Sequence, residues 1–148
     1  MARVKLTLPE TLAFSTRLEV RVSDINYGGH LGNDAVLAFL HEARLRYLRS
    51  LGFSELDVEG VGMIMSDVEV VFRAEAFHGD ELTLEVGVGA LSSHGCEFFY
   101  RVRNSSSGLE VARAKTGMAF FDYRSRAIAP VPPGFRTRVE ANGQRSGA

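Results

Sequence analysis

Between Ser23 and Asn33 the chain reads Ser-Asp-Ile-Asn-Tyr-Gly-Gly-His-Leu-Gly-Asn, which crowds groups capable of acid–base chemistry into one short run. Asp24 brings a carboxylate. His30 brings an imidazole whose ordinary pKa, about 6.5, leaves it able to take a proton near neutral pH. Asn26 has an amide that can orient a water or hold a carbonyl but cannot serve as a base. Two residues apart on an extended chain, Asp24 and Asn26 would face the same side. Gly28, Gly29 and Gly32, with Tyr27 beside them, would let a substrate come close to the backbone. A helix follows, so the Gly32–Asn33 backbone at its positive end could polarise a carbonyl. A base, a positioned water and donors for a developing oxyanion are the parts of hydrolysis at a carbonyl. Plainer roles fit the same residues. Asp24 suits a turn cap, His30 a bond to the loop backbone, and the glycines an awkward strand-to-helix corner.

Elsewhere the reactive types are scattered. His41, His78 and His94 fall on a helix and two turns, without metal-ligand spacing, so no metal and no cofactor are expected. Cys96 is the single cysteine. It rules out an internal disulfide and sits in a strand-like run where a buried structural thiol is expected. Glu42 could aim at a site, but an ion pair with Arg46 one turn on is the favoured reading.

The positioning elements follow from periodicity. Leu18, Val20 and Val22 alternate with Arg17, Glu19 and Arg21, the pattern of a half-buried strand over 16–23. Asn33 or Asp34 can cap the next helix. Val36, Leu37, Leu40, Ala43, Tyr47, Leu48 and Leu51 then recur at spacings of three and four, giving one apolar stripe. Gly52 is a fitting left-handed stop. Strands are expected at 63–73, 82–88, 97–103 and 109–123, joined by turns at His78-Gly79-Asp80 and Asn104–Gly108. A long helix against one curved antiparallel sheet is an α+β domain. It is expected over 1–138, with 139–148 as a disordered tail. Net charge is −1, with 45% hydrophobic and 24% charged residues. That balance argues against nucleic acid and membrane surfaces as partners. The absence of a long apolar run fits a cytoplasmic protein that is not exported.

Residues 20–52 also carry a family resemblance. Val20-Arg21-Val22-Ser23-Asp24, Gly29-His30-Leu31-Gly32-Asn33 and the helical Glu42-Ala43-Arg44 resemble the opening of the 4-hydroxybenzoyl-CoA thioesterase-like branch of hotdog-fold proteins. Arg73–Leu82, Phe120-Phe121-Asp122 and Pro130-Val131-Pro132 extend the similarity over about 16–135. The resemblance implies a long central helix wrapped by a five-stranded antiparallel sheet. It also implies a homodimer or a dimer of dimers, with sites at the protomer boundary. Its substrate would be an acyl-CoA or acyl-ACP thioester, and the oxyanion donor would fall at Asn33.

One position departs from the family pattern. The usual catalytic acid, the second of an Asp-x-Asp pair, is replaced by Asn26. Plant acyl-ACP thioesterases look similar in using an Asn and a His nearby, so an Asn26/His30 pair with Asp24 and Asn33 is one expectation. A thioester-binding protein without hydrolysis is the second. A dehydratase acting on 3-hydroxyacyl thioesters is third, and its His-bearing motif is not found. Phe39, Leu40, Tyr47 and Phe72 are expected to line the acyl slot. Arg101, Arg103, Arg113, Lys115, Arg124 and Arg126 are the basic residues from which CoA-phosphate contacts would be drawn.

Overall fold

The computed structural model describes residues 4–142. The chain forms β1 (Phe14–Glu19), a 3-10 turn (Val22–Asp24), α1 (Asn33–Ser50), β2 (Gly62–Phe72), β3 (Glu81–Leu91), β4 (Gly95–Asn104) and β5 (Glu110–Asp122). The two-residue β6 (Ala127–Ile128) and α2 (Pro133–Asn142) complete it. All strand pairs are antiparallel, in the order β1-β3-β4-β5-β2, with β6 added to β5. The sheet wraps one face of α1 in the hotdog arrangement. Six strands stand where five were expected, and α2 is an element the apolar pattern did not announce.

Alternation drives the packing. Leu82, Leu84 and Val86 on β3, and Phe98, Tyr100 and Val102 on β4, point inward and are fully buried. They meet Leu40, Tyr47 and Leu48 of α1, with Tyr47 and Phe98 edge to face at 6.1 Å. At about 1.5–3 kcal/mol for each large apolar side chain, this contact holds the long helix against the sheet. Gly52 ends α1 with φ +87°, as its position suggested. Glu42 pairs with Arg46 at 2.8 Å on the helix surface. Cys96 is buried, and burial pushes its thiol up to about 12.

Three local expectations need correction. Val22 is exposed rather than facing the core, because the chain leaves the strand after Glu19 and tightens into the 3-10 turn. The N-cap of α1 is Gly32, and no side chain caps the helix, so neither Asn33 nor Asp34 has that role. Residues 139–142 are helical rather than disordered; the rest of the expected tail, 143–148, lies outside the described residues. The reason is burial. Phe135 stacks edge-on against Phe120 at 5.2 Å, and Val139 is also enclosed. Arg138 then donates from Nη1 to the carbonyl of Leu51 at 2.6 Å, tying α2 to the end of α1. Among the described residues, no helix is long and apolar enough to cross a membrane.

Candidate functional site

The loop before α1 is a small closed structure held largely by Asn26. Its backbone N–H donates to His30 O at 2.8 Å, and its carbonyl accepts from Gly29 N at 3.0 Å. Its side-chain Oδ1 accepts the N–H groups of Gly28 at 2.9 Å and His30 at 3.3 Å. Asparagine is suited to this because its short side chain reaches backbone donors two residues on. Gly29 sits at φ +86°, a conformation that disfavours side-chain-bearing residues. Asn26 is therefore the loop's internal clasp, and its acceptor oxygen is already in use.

Asp24 is turned away from this loop. Its carboxylate is buried and accepts the backbone N–H of Arg21 at 2.8 Å, while Arg21 Nε lies 3.4 Å from it. Its carbonyl accepts Gly32 N–H at 3.0 Å. Asp24 and Asn26 thus do not share a face, since the 3-10 turn breaks the extended chain on which that expectation rested. Tyr27 is fully exposed at the loop tip, and Gly28 and Gly29 are exposed beside it.

His30 occupies the position where groups converge. Its Nδ1 lies 3.3 Å from Leu31 O, and its Nε2 lies 3.3 Å from Glu75 Oε2. The link is made by backbone: Leu31 N–H donates to Ala76 O at 2.8 Å, docking the loop on the connector between β2 and β3. His30, Asn33, Val36, Phe72, Arg73 and Glu75 surround a cavity of about 220 Å³. Because Gly32 N–H is taken by Asp24 and the helix has no side-chain cap, the N–H of Asn33 meets no acceptor among the described residues. It points out of a helix N-terminus, where partial positive charge collects. The site therefore unites His30 with Asn33 and adds Glu75; it leaves Asp24, Asn26 and Gly32 as framework.

Glu75 was visible in the sequence only as part of the Arg73–Leu82 link. Nothing in its spacing pairs it with His30; that needs the long-range Leu31–Ala76 contact. A second polar group was also missed. Arg44 is buried and donates from Nε to Glu55 at 2.8 Å and from Nη1 to Tyr100 Oη at 3.0 Å. Tyr100 Oη meets Thr116 Oγ1 at 2.7 Å, and His41 Nε2 meets Glu55 at 2.9 Å. Burial works against the Arg44 charge, but Tyr100 and Glu55 outweigh it and hold the guanidinium above its ordinary range.

Of the residues expected to line the slot, Phe72 borders the His30 cavity and Leu40 a neighbouring cleft of about 470 Å³. Phe39 and Tyr47 are core residues instead. Arg101, Arg103, Arg113 and Lys115 are engaged by Glu85, Glu97 and Glu110 across the sheet strands. Among the described residues, no cluster of His, Cys, Asp and Glu could hold a metal ion.

Comparison with known proteins accords with this fold. The sequence pattern of the thioesterase-like superfamily matches residues 20–139. A 1,4-dihydroxy-2-naphthoyl-CoA thioesterase from Synechocystis is 24% identical, with a TM-score of 0.78 over 85% of this chain and 94% of that one. A gentisyl-coenzyme A thioesterase is 18% identical, with a TM-score of 0.76 over 85% and 99%. A probable thioesterase from Escherichia coli is 18% identical, with a TM-score of 0.70 over 86% and 97%. At these identities the likeness is one of fold. Comparison with curated proteins finds no match.

Proposed function

We propose that this chain, which belongs to the thioesterase-like superfamily, hydrolyses an acyl-CoA thioester to the free acid and the thiol. The observation that carries the reading is the shared cavity of His30, Glu75 and the uncapped start of α1. Two neighbours in fold act on CoA thioesters, which supports CoA over an acyl-carrier protein.

The chemistry follows from the atoms present. The thioester carbonyl sits at the N–H of Asn33, which stabilises the negative charge that builds on its oxygen. His30, with Nδ1–H directed to Leu31 O, keeps the Nε2 lone pair for a water. Nε2 takes a proton as the water oxygen bonds to the acyl carbon. The new Nε2–H then faces Glu75 Oε2, so the carboxylate stabilises the protonated ring formed during reaction. Collapse of the intermediate breaks the carbon–sulfur bond, and the proton on His30 passes to the departing thiolate. Tyr27, Gly28 and Gly29 form the exposed rim on which the carrier would lie.

A homodimer belongs to the same reading. β2 is an edge strand with Met65 and Val68 exposed, and a second copy paired there would cover them. A dimer of dimers would build on that unit, and we place the reaction in the cytoplasm, where a single free cysteine is at home.

The test is hydrolysis of an acyl-CoA panel, followed by release of free thiol. Turnover that falls by about 10²–10⁴ in His30→Ala supports the assignment. Absence of turnover with every thioester, or an unchanged His30→Ala, would overturn it. The non-hydrolytic alternative is favoured by one observation, that Asn26 stands where an acid is usual. It predicts thioester binding without thiol release.

A further inference from the structure

The wall of the His30 cavity is also reached from the far side of the sheet. Gly87 on β3, and Arg113 and Val71 paired across β5 and β2, point away from α1, since Val86, Ala114 and Val70 beside them pack toward it. The segment 4–12 crosses that outer face before the chain enters β1. Leu12 lies so close over Gly87 that a Cβ there would stand 3.0 Å from Leu12 Cδ2 and 3.2 Å from its Cα. Earlier in the segment, the carbonyl of Leu6 accepts Arg113 Nη1 at 2.9 Å. The stretch from Leu12 back to Leu6, at about 3.3 Å per residue, is long enough to cross the two strand spacings of about 4.8 Å from β3 to β5. Leu6 and Val71 are each only 9% exposed, yet neither belongs to the core under α1. The segment and the outer face cover each other.

Two sets of contacts carry this segment to the site. Val4 shares with Val70, Val71 and Phe72 a depression of about 280 Å³, and Phe72 is also a wall residue of the His30 cavity. Arg113, bound to Leu6 O, grips Glu110 through Nε at 2.8 Å and Nη2 at 2.9 Å. Glu110 Oε2 in turn lies 2.8 Å from Nε of Arg73, the next residue of that wall. Both routes end on the consecutive pair Phe72 and Arg73. His30 and Glu75 have a separate anchor, the bond from Leu31 N–H to Ala76 O at 2.8 Å.

We propose that residues 4–12 are a strap that braces the Phe72–Arg73 wall from behind, so that Leu6 and Gly87 are positioning residues for substrate binding. This rests on the thioester being bound at His30. A braced wall is in place before the acyl group arrives, whereas a loosened one must be ordered during binding, which weakens affinity. The reacting groups keep their own anchor, so the loss falls on KM and not on kcat. Gly87 is remote from the chemistry: three strand spacings, about 14 Å, separate β3 from β2. A side chain placed there reaches the cavity wall through the strap.

The experiment uses the full chain with Gly87→Val, which pushes Leu12 off the sheet, or Leu6→Ser, which unseats the strap beside Arg113; Leu6→Met is the conservative control. Both disruptive variants are expected to raise KM for an acyl-CoA about threefold or more with kcat within about twofold of wild type, and Leu6→Met to restore wild-type values. Amide hydrogen exchange is expected to quicken about tenfold in residues 72–75 and to stay unchanged in α1. Hexyl-CoA thioether, which cannot be hydrolysed, should bind about threefold more weakly by calorimetry. If Gly87→Val does not fold, Leu6→Ser carries the test. Unchanged KM and thioether affinity overturn the strap while leaving the hydrolase reading intact. Faster exchange throughout α1 also overturns it, because the segment then supports the fold as a whole rather than the wall. Turnover of no thioester, with weaker thioether binding and faster exchange at 72–75, supports the strap and overturns the hydrolase reading. A wild-type chain that binds neither thioester nor thioether overturns both.

Discussion

His30 Nε2 stands 3.3 Å from Glu75 Oε2, joining the glycine-rich loop to the connector between β2 and β3 at the mouth of one cavity. The carboxylate that position 26 lacks is thus present in the site, delivered from elsewhere in the chain. Glu75→Gln should lower kcat by about tenfold or more and change KM little, because the contact strengthens only once the ring has taken its proton. A double-mutant cycle separates this from general damage. If Glu75 acts through His30, adding Glu75→Gln to His30→Ala costs nothing further, whereas independent effects would multiply.

Asn26 is expected to behave as a structural residue. Asn26→Ala removes the acceptor for two backbone N–H groups and should cost about 1–2 kcal/mol, read by urea denaturation. Asn26→Asp keeps an acceptor at the same place, so its stability should stay within about 0.5 kcal/mol of wild type. If alanine and aspartate are equally harmful, the clasp assignment fails. Thiol release by Asn26→Asp answers the separate question of whether an acid here raises turnover.

How much of this was legible in the sequence varies with the range of the interactions concerned. α1 and the inner faces of β3, β4 and β5 could be read because burial on one side imposes a local period, as in Leu82, Leu84 and Val86. The candidate loop was marked out by Gly28, Gly29, His30 and the helix behind it. Its inner allocation was not legible. Whether Asp24 faces a substrate or Arg21 N–H depends on a 3-10 turn that alternation does not announce. Glu75 and Arg44 were missed for a different reason. Their partners, His30, Glu55 and Tyr100, are brought to them by tertiary packing, and neither carries a periodic signal. α2 escaped notice because it buries only Phe135 and Val139, too few for a stripe.

That sparse helix should nevertheless be costly to loosen. Phe135→Ala removes a ring packed on Phe120 and Phe53 and should destabilise the chain by about 3–5 kcal/mol. Arg136→Ala on the same helix should change stability by less than about 1 kcal/mol. Thermal or urea melts of the two variants check the contrast; equal small losses would mean that α2 does not contribute to the core.

The β2 edge gives an assembly prediction. Met65 and Val68 are exposed on β2, which pairs with β5 on one side and is free on the other, and a dimer formed there would bury both. Replacing both with lysine should yield a monomer by light scattering with the secondary structure retained, since exposed positions tolerate charge. A wild-type chain that is already monomeric at micromolar concentration contradicts the pairing.

The sheet also carries an acid-sensitive knot at Glu110. Its carboxylate receives Arg113 through Nε at 2.8 Å and Nη2 at 2.9 Å, Arg101 at 3.1 Å and Arg73 at 2.8 Å, with only 18% of its side chain exposed. Hydrogen bonds from Arg113, more than any other influence, hold the carboxyl below its usual range against the opposing effect of burial. A carboxylate whose folded-state pKa is lowered stabilises the fold fully above its unfolded value, about 4.3. That contribution disappears as the pH falls through the folded value. Glu110→Gln removes the charge and places an amide among three guanidinium groups, at a cost of about 1.5–3 kcal/mol near neutral pH. The gap between wild type and variant should therefore be constant from pH 7 down to about 5 and close at more acid pH. Urea melts across that range measure it directly. A gap that persists unchanged in acid would mean the charge of Glu110 is not what holds these arginines.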